Sequence, residues 1–145
     1  MTTTHEDVML AILGLLQAVP DAEVDRGVEP PTTVPKGGHI LLMDGDKGEP
    51  EEILGIGNGV LYTWFPQIEV EVRIQANAED RDARLATLLA AIEAALTADR
   101  ELGGLVDYMD WRPSDVDEER ILGADPIEGR ALTLLPEYDT ASPLA

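Results

Sequence analysis

An alternating segment at residues 68–75 constrains the fold of this chain more than any other feature. Its apolar residues Ile68, Val70, Val72 and Ile74 are separated by charged or polar ones, which is the period of two of a β-strand. One face of this strand is therefore predicted to be buried. The other face carries charges of both signs and is predicted to be solvated or to contact a partner.

A helix with one apolar face is predicted after this strand, at residues 79–100. The strand and the helix can bury their apolar faces by packing together. The glycines at 103–104 favour the end of the helix, because glycine readily adopts a left-handed backbone, and we expect a strand at 105–111 directly after them. The helix face consists of Leu85, Leu88, Leu89, Ile92 and Leu96.

Another helix is predicted near the N-terminus, at residues 4–19. Thr3 and Glu6 have the spacing of a capping box, in which the hydroxyl and the carboxylate each accept a hydrogen bond from a free amide. Pro20 ends this helix. Short apolar, β-branched or aromatic runs predict further strands at residues 39–43, 60–65 and 130–138.

Two glycine-rich segments predict turns rather than ligand sites. Residues 44–48 (DGDKG) predict a hairpin turn, since a calcium loop would need an acid and a glycine where Gly48 and Glu49 stand. Residues 55–59 (GIGNG) predict a turn between strands, because a dinucleotide-binding loop would lead into a helix. Pro136 lacks an amide hydrogen and predicts an edge position or a strand end.

These elements predict a single α+β domain over residues 1–145, with a mostly antiparallel β-sheet packed by two helices and long acidic loops. Residues 21–38 are rich in proline and acid, so we expect an extended arm that contacts a partner. Residues 112–128 are expected to form an acidic loop. Residues 139–145 are expected to form a mobile tail.

The charge of the chain excludes several classes of protein. Ten lysines and arginines stand against 29 aspartates and glutamates, a net charge of −19. A nucleic-acid reader is disfavoured because its cations would be clustered, whereas the acidity is typical of solubility or of a salty medium. The chain has no cysteine, which removes disulfides and thiol chemistry. Acidic residues before the first apolar run disfavour a signal peptide, so we expect a soluble protein made in the cytoplasm.

The sequence offers little catalytic chemistry, and we expect no enzyme, no catalytic residue, no cofactor and no metal. A nucleophile needs a base within reach, and each histidine has an ordinary position at the start of a helix or strand. Asp107 and Asp110 leave a paired-carboxylate hydrolase as a weak alternative. Acidic clusters at 21–25 and 115–119 could bind a divalent cation but are typical of solvated loops. The candidate nucleophiles and bases are Ser114, Ser142, His5 and His39.

Several motifs together carry a resemblance to one family. The chain resembles the tail terminators of bacteriophages and phage-like particles, of the minor tail protein U type, including the short acidic versions of prophages and gene transfer agents. The matching parts are Arg26 with Pro30-Pro31 and Pro35-x-Gly37-Gly38, the turn Asp44-Gly45-Asp46, the strand 69–75, the junction 99–106 (DRELGGLV), and the ending Tyr138-x-Thr140-x-x-Pro143-Leu144.

This resemblance implies an α+β fold and a structural role in a virion. Such proteins form a ring, typically a homohexamer, that caps the finished tail tube, stops its polymerisation and presents the surface to which the head docks. The implied partners are further copies of the chain, the major tail tube protein and a head-completion or neck protein. DNA would pass through the channel without specific binding, and no membrane would be involved. The implied location is the virion tail, assembled in the host cytoplasm.

Two alternatives remain from the sequence. One is a head-completion, neck or tail-completion ring protein of the same particle, and the other is a small acidic binding module, such as an immunity protein or a nucleic-acid mimic. Interface candidates are chosen because Arg and Trp are enriched in interface hot spots and because the proline-rich arm is suited to reach a neighbour; core packing is the alternative for both tryptophans. These candidates are Arg26, Pro30, Pro31, Trp64, Arg73, Arg81 and Trp111.

Overall fold

The computed structural model describes residues 3–31, 33–54, 59–77, 79–114, 118–119 and 127–144. Within these ranges the chain forms two α-helices, one 3₁₀ turn and eight strands. In chain order they are α1 (Thr4–Gln17), β1 (Glu23–Arg26), β2 (His39–Leu42), β3 (Glu51–Leu54), β4 (Val60–Trp64), β5 (Ile68–Gln75), α2 (Arg81–Ala98), the 3₁₀ turn (Leu102–Gly104), β6 (Tyr108–Pro113), β7 (Glu118–Glu119) and β8 (Ile127–Thr140).

The described strands form one sheet in which every pairing is antiparallel except that of β1 with β2. Strands β4 and β5 lie along β8 in a single register, because Trp64 stands opposite Tyr138 and Ile68 opposite Leu134. On the other side of this β4–β5 ribbon, β2 pairs with β5 and β3 pairs with β4. On the far side of β8, β6 and β7 pair with successive stretches of that strand. The sheet is therefore two long hairpins laid side by side.

The β3–β4 hairpin extends past the end of β8. Only Tyr62, Thr63 and Trp64 pair with β8, and Tyr62 is already opposite Thr140, the last residue of that strand. At about 3.3 Å per residue, the ribbon from Val60 to the end of β5 is roughly 50 Å long. One end of the ribbon carries the hairpin, and the other end lies beside the start of β2.

The core lies between the two helices and one face of the sheet. The alternating residues of β5 are fully or almost fully buried, which confirms the predicted strand and its buried face. Both predicted helices are present, and the α+β class is confirmed. None of the helices in the described ranges combines the length and the apolarity that crossing a membrane requires. The buried helix residues are Val8, Met9, Ile12 and Leu16 of α1 and Leu85, Leu88, Ile92 and Leu96 of α2.

Two predicted turns differ in the structure. Residues 44–48 do not reverse the chain: β2 and β3 run in the same direction along the β4–β5 ribbon, and Asp46 between them bridges to Gln67. The hairpin turn predicted there is therefore wrong. After α2, the backbone makes the 3₁₀ turn with Gly103 and Gly104 at positive φ. The next strand begins at Tyr108 and not at residue 105.

The segments predicted as irregular contain strands. Residues 21–38 include β1, which pairs with β2 in the chain's own sheet. Residues 112–128 include the end of β6, all of β7 and the start of β8, and within that range residues 115–117 and 120–126 lie outside the described residues. In the predicted tail, residues 139–140 belong to β8. Pairing partners explain these differences, since each added strand is held by a neighbour in the sheet.

Pro136 lies inside β8 and not at its end, which corrects the prediction. The register shared by β4 and β5 places Pro66 opposite Pro136, in the gap between those two strands. Proline has no amide hydrogen for a ladder. The two prolines thus lie where the hydrogen-bond ladder along this side of β8 is interrupted, between its pairing with β4 and its pairing with β5.

Gly38 should be essential for the packing of α2 on the sheet. Its φ is +95°, and an added Cβ would lie 2.5 Å from Leu88 Cδ2 and 2.8 Å from Ile74 Cδ1. We expect Gly38→Ala to lower the free energy of unfolding by about 1–3 kcal/mol, mainly because alanine is strained at this positive φ. Urea denaturation measures this change. Gly14→Ala is the control: Gly14 lies in α1 with open space around it, so alanine should raise stability by about 0.5–1 kcal/mol. Equal effects at both positions would contradict the prediction.

Candidate functional site

The projecting β3–β4 hairpin carries large apolar side chains at its surface. Ile53 is 49% exposed and Leu61 is 42% exposed, and the two stand directly opposite each other on one face. Val60 and Phe65 are also exposed. Monomeric proteins seldom expose several large apolar side chains together, and such patches mark interaction sites.

Acidic residues accompany this apolar patch. Glu51 and Glu52 precede Ile53 in β3 and are exposed. Strand β3 ends the sheet, and charges on an edge strand discourage indiscriminate pairing with other strands. Ile53, Leu61 and Glu51 share one face of the hairpin, and Glu52 and Val60 lie on its other face. We call these five residues the hairpin surface. It is apolar with an acidic margin.

A cleft of about 760 Å³ lies toward the opposite end of the β4–β5 ribbon. One wall is α2, which contributes the small side chains of Ala83, Thr87 and Ala91, and the other wall is formed by residues 20–21 and 35–37. Ile74, near the end of β5, also lines it. We call this feature the α2 cleft. Its lining is mainly apolar, with charged groups at Asp21, Lys36 and Arg84.

Close backbone contacts fix the second wall of the α2 cleft. An added Cβ on Gly37 would overlap the main-chain carbonyl of Asp21. Asp21 itself has φ +65° where the chain leaves α1. The arm therefore returns against its own chain at this point, and the Val34 amide donates a hydrogen bond to Gln75 Oε1 at 3.0 Å.

The two cations of the α2 cleft differ from most other cations of the chain. Among the described residues, neither Lys36 nor Arg84 makes an ion pair. Five arginines do make ion pairs with carboxylates: Arg26, Arg73, Arg81, Arg100 and Arg130. In a chain of net charge −19, two cations without acidic partners beside an apolar cleft form an unusual surface.

Arg26, an interface candidate from the sequence, joins three parts of its own chain. Its Nη1 and Nη2 donate to the two carboxylate oxygens of Glu6 at 2.6 and 2.8 Å, and its Nη2 donates to Asp44 at 2.9 Å. This hydrogen-bonded pair lowers the pKa of Glu6 and raises the pKa of Arg26. Thr3 caps α1 as predicted by accepting from the Glu6 amide at 3.2 Å. The Glu6 carboxylate, however, is taken up by Arg26.

The aromatic candidates also have partners within the chain. Trp64 is 4% exposed, and its Nε1 donates to Thr140 Oγ1 at 2.9 Å while Lys47 Nζ lies 4.2 Å from its ring centroid. Trp111 is half-buried beneath the Arg100 guanidinium, 4.2 Å from its ring centroid.

The remaining candidates lie apart from one another. Arg73 is buried and pairs with Glu71 at 2.8 Å. Arg81 pairs with Glu128 at 3.0 Å. Pro30 is exposed and Pro31 is half-buried. An interface role for the candidate residues stays a prediction.

The candidate catalytic groups are engaged separately. The Ser114 and Thr133 hydroxyls share a hydrogen bond of 2.7 Å. His39, 2% exposed, contacts Asp25 Oδ2 through Nε2 at 2.9 Å. His5 Nδ1 lies 3.1 Å from the Tyr138 hydroxyl. None of the hydrogen bonds found among the described residues joins a serine to a histidine, and this part of the chain contains no cluster of three metal-ligating side chains.

Neither the hairpin surface nor the α2 cleft follows from local sequence patterns. Strand β3 has four residues, two of them glutamates, which local propensity disfavours in a strand. The cleft combines the end of α1, the arm and α2, so only the tertiary fold brings its walls together. The signal available in the sequence was the pair of glycines at 37–38, which marks a close backbone approach.

His5 should make the protein sensitive to mild acid. Burial lowers its pKa below the ordinary value of 6.5, with Lys47 adding to the effect, so the unfolded chain binds this proton more readily than the folded one. The stability that depends on neutral His5 is therefore present above about pH 6.5 and is lost as the pH falls below it. We expect the wild type to lose more thermal stability than His5→Gln between about pH 8 and about pH 5.

Tyr138→Phe serves as the control for this pH dependence. Burial also raises the pKa of Tyr138 to about 12, so its hydroxyl stays protonated throughout the acid range. Because burial is the main cause of the His5 shift, the variant should keep the acid sensitivity of the wild type. An equal loss of melting temperature in wild type and His5→Gln would contradict the prediction.

The chain has similarity to solved structures but not to a known family. Neither a protein-family model nor a curated protein matches the chain. Among solved structures, it is similar to a chain from the virion of a native gene transfer agent particle, with 13% identity and a TM-score of 0.42. The similarity covers 97% of this chain and 100% of the other. A TM-score this low does not establish a shared fold.

Proposed function

We propose that this chain is a structural protein of a phage-like particle that assembles with copies of itself on the end of a tail tube. The observation that carries the proposal is the hairpin surface, which exposes apolar side chains on the projecting β3–β4 hairpin of a strongly acidic protein. Exposing Ile53 and Leu61 side by side costs solvation free energy in an isolated chain. Assembly would bury them.

The specific role comes from the family that the sequence resembles. Its motifs indicate a tail terminator: a ring, typically of six copies, that stops tube polymerisation and receives the head. The partners would then be the major tail tube protein and a head-completion or neck protein, and the location would be the virion tail. The hairpin surface supports assembly but does not distinguish this role from that of a neck or tail-completion ring. Gene order beside a major tail tube protein would distinguish them.

The negative charge suits a ring that surrounds DNA. On the face of β5 away from the core, Glu69 is exposed and Glu71 is half-buried beside Arg73. The chain as a whole has a net charge of −19. Carboxylates facing a channel would repel DNA phosphates and let the duplex pass without binding. The same charge makes copies of the chain repel one another.

Assembly should therefore be strengthened by salt. Screening shortens the Debye length from about 14 Å at 0.05 M to about 4 Å at 0.5 M salt, which weakens the repulsion between copies while leaving apolar burial intact. We expect sedimentation velocity to show a larger assembled fraction at the higher ionic strength. A complex that dissociates as salt is added would contradict this expectation.

Tube elongation tests the role in the tail. We expect the purified chain, added to polymerising major tail tube protein of the same particle, to give shorter tubes whose ends carry a ring in negative-stain images. An acidic protein of similar net charge is the control for non-specific charge effects. Tubes of unchanged length with bare ends would overturn the proposed function.

A further inference from the structure

We propose that the hairpin surface of one copy docks into the α2 cleft of the next copy. This inference names the contact by which the assembly under Proposed function would form, and it rests on that function. It assigns the cleft one occupant, a second copy of this chain, and it predicts a head-to-tail arrangement.

The cleft has the size and lining to accept the hairpin surface. Its volume of about 760 Å³ falls within the range of about 300–1,000 Å³ typical of pockets that enclose a drug-sized ligand. Ile53 and Leu61 are adjacent on one face of the hairpin, so they could enter together. The small side chains of Ala83, Thr87 and Ala91 on α2 leave room for them.

The charges at the two surfaces are complementary. Glu51 lies on the same face of the hairpin as Ile53 and Leu61, and Glu52 lies beside Ile53 on the other face. Lys36 and Arg84 line the cleft. Asp21 is the one acidic residue in the lining, so cations outnumber acids there. The surface of the chain is acidic on average, because each chain has 29 carboxylates and ten cations. The cleft is therefore a place where an acidic hairpin is attracted.

The distance between the two surfaces excludes a contact between them within one copy. They lie near opposite ends of a ribbon that is roughly 50 Å long, so the hairpin of a copy cannot fill that copy's own cleft. One contact uses two different patches, which leaves a free hairpin at one end of a pair and a free cleft at the other. Repeated contacts of this kind generate a ring when the rotation closes. A single contact type would then bury the exposed apolar patch of every copy.

Disulfide trapping tests the contact directly, because the natural chain contains no cysteine. Ile53→Cys and Ala83→Cys are made in separate chains, since both side chains are exposed and either change should leave the fold intact. After oxidation in high salt, we expect a covalent dimer in the mixture and monomers from each variant alone. The control mixture pairs Ala83→Cys with Leu10→Cys, an exposed site on α1 that is not part of the hairpin. A mixture that yields no more dimer than this control overturns the proposal.

The chain with both cysteines tests the head-to-tail arrangement. Oxidation should give a ladder of covalent multimers, since each copy would join two different neighbours. A series that stops at the dimer would mean that two copies exchange hairpins around a twofold axis, and it would overturn the head-to-tail contact.

A charge swap tests the recognition. The swap is made at about 0.1 M salt, where charges are screened less than in the first trapping experiment. There we expect Lys36→Glu with Arg84→Glu to reduce the trapped dimer at least about tenfold, the effect of about 1.4 kcal/mol. Adding Glu51→Lys with Glu52→Lys to the hairpin partner should restore the dimer. Arg112→Glu, at an exposed position on β6, is compared with Arg84→Glu alone, because each of these single changes alters the net charge by two units. A pair of swapped surfaces that stays untrapped overturns the charge complementarity.

The outcomes separate this contact from the role in the tail. Rings on tube ends without the trapped dimer would overturn the contact and leave the proposed function standing. A trapped ladder from a protein that leaves tube ends bare would establish the contact and overturn the tail role. If the trapped product instead joins the cleft to the tube protein, the cleft belongs to that partner and the self-contact is overturned.

Discussion

The shared register of β4 and β5 along β8 is the constraint on which the rest of the structure depends. Strands β4 and β5 both pair with β8 in one register, so they lie end to end along it. Strands β2 and β3, which pair with β5 and β4, therefore also lie end to end, on the side of the ribbon away from β8. Strands β5 and β6 then run parallel on opposite sides of β8, so the chain between them has to cross the sheet. Helix α2 makes this crossing, and its apolar stripe covers the core on the way.

The scarcity of cations shapes the surface as much as the sheet shapes the core. Arginines are used to join elements that would otherwise repel one another: Arg26 joins α1, β1 and the segment after β2, and Arg81 joins the start of α2 to β8. Much of the positive charge of the chain is therefore paired with carboxylates in these contacts. What is left beside the α2 cleft therefore distinguishes that surface from the predominantly acidic exterior.

Elements with strong periodicity could be predicted from the sequence, and those specified by a partner could not. Strand β5 and helix α2 carry complete apolar patterns. Residues 44–48 have the composition of a turn. Composition alone does not show whether the chain reverses its direction there or leaves one strand and continues in the same direction into the next. Four-residue strands such as β1 and β3 exist because a neighbour holds them. The α2 cleft was beyond prediction because its walls come from three distant segments, and the interface candidates were chosen by residue type without knowledge of their internal partners.

The paired prolines have a mechanical consequence. Since Pro66 and Pro136 face each other across a gap in the ladder, three register pairs connect β4 to β8 beyond that gap. Two side-chain hydrogen bonds reinforce them, from Thr63 to Asp139 and from Trp64 to Thr140. Force applied to the β3–β4 hairpin is transmitted to β8 through this short stretch, in which the Trp64 ring is buried. Trp64 is therefore the residue that most limits movement of the hairpin relative to the core.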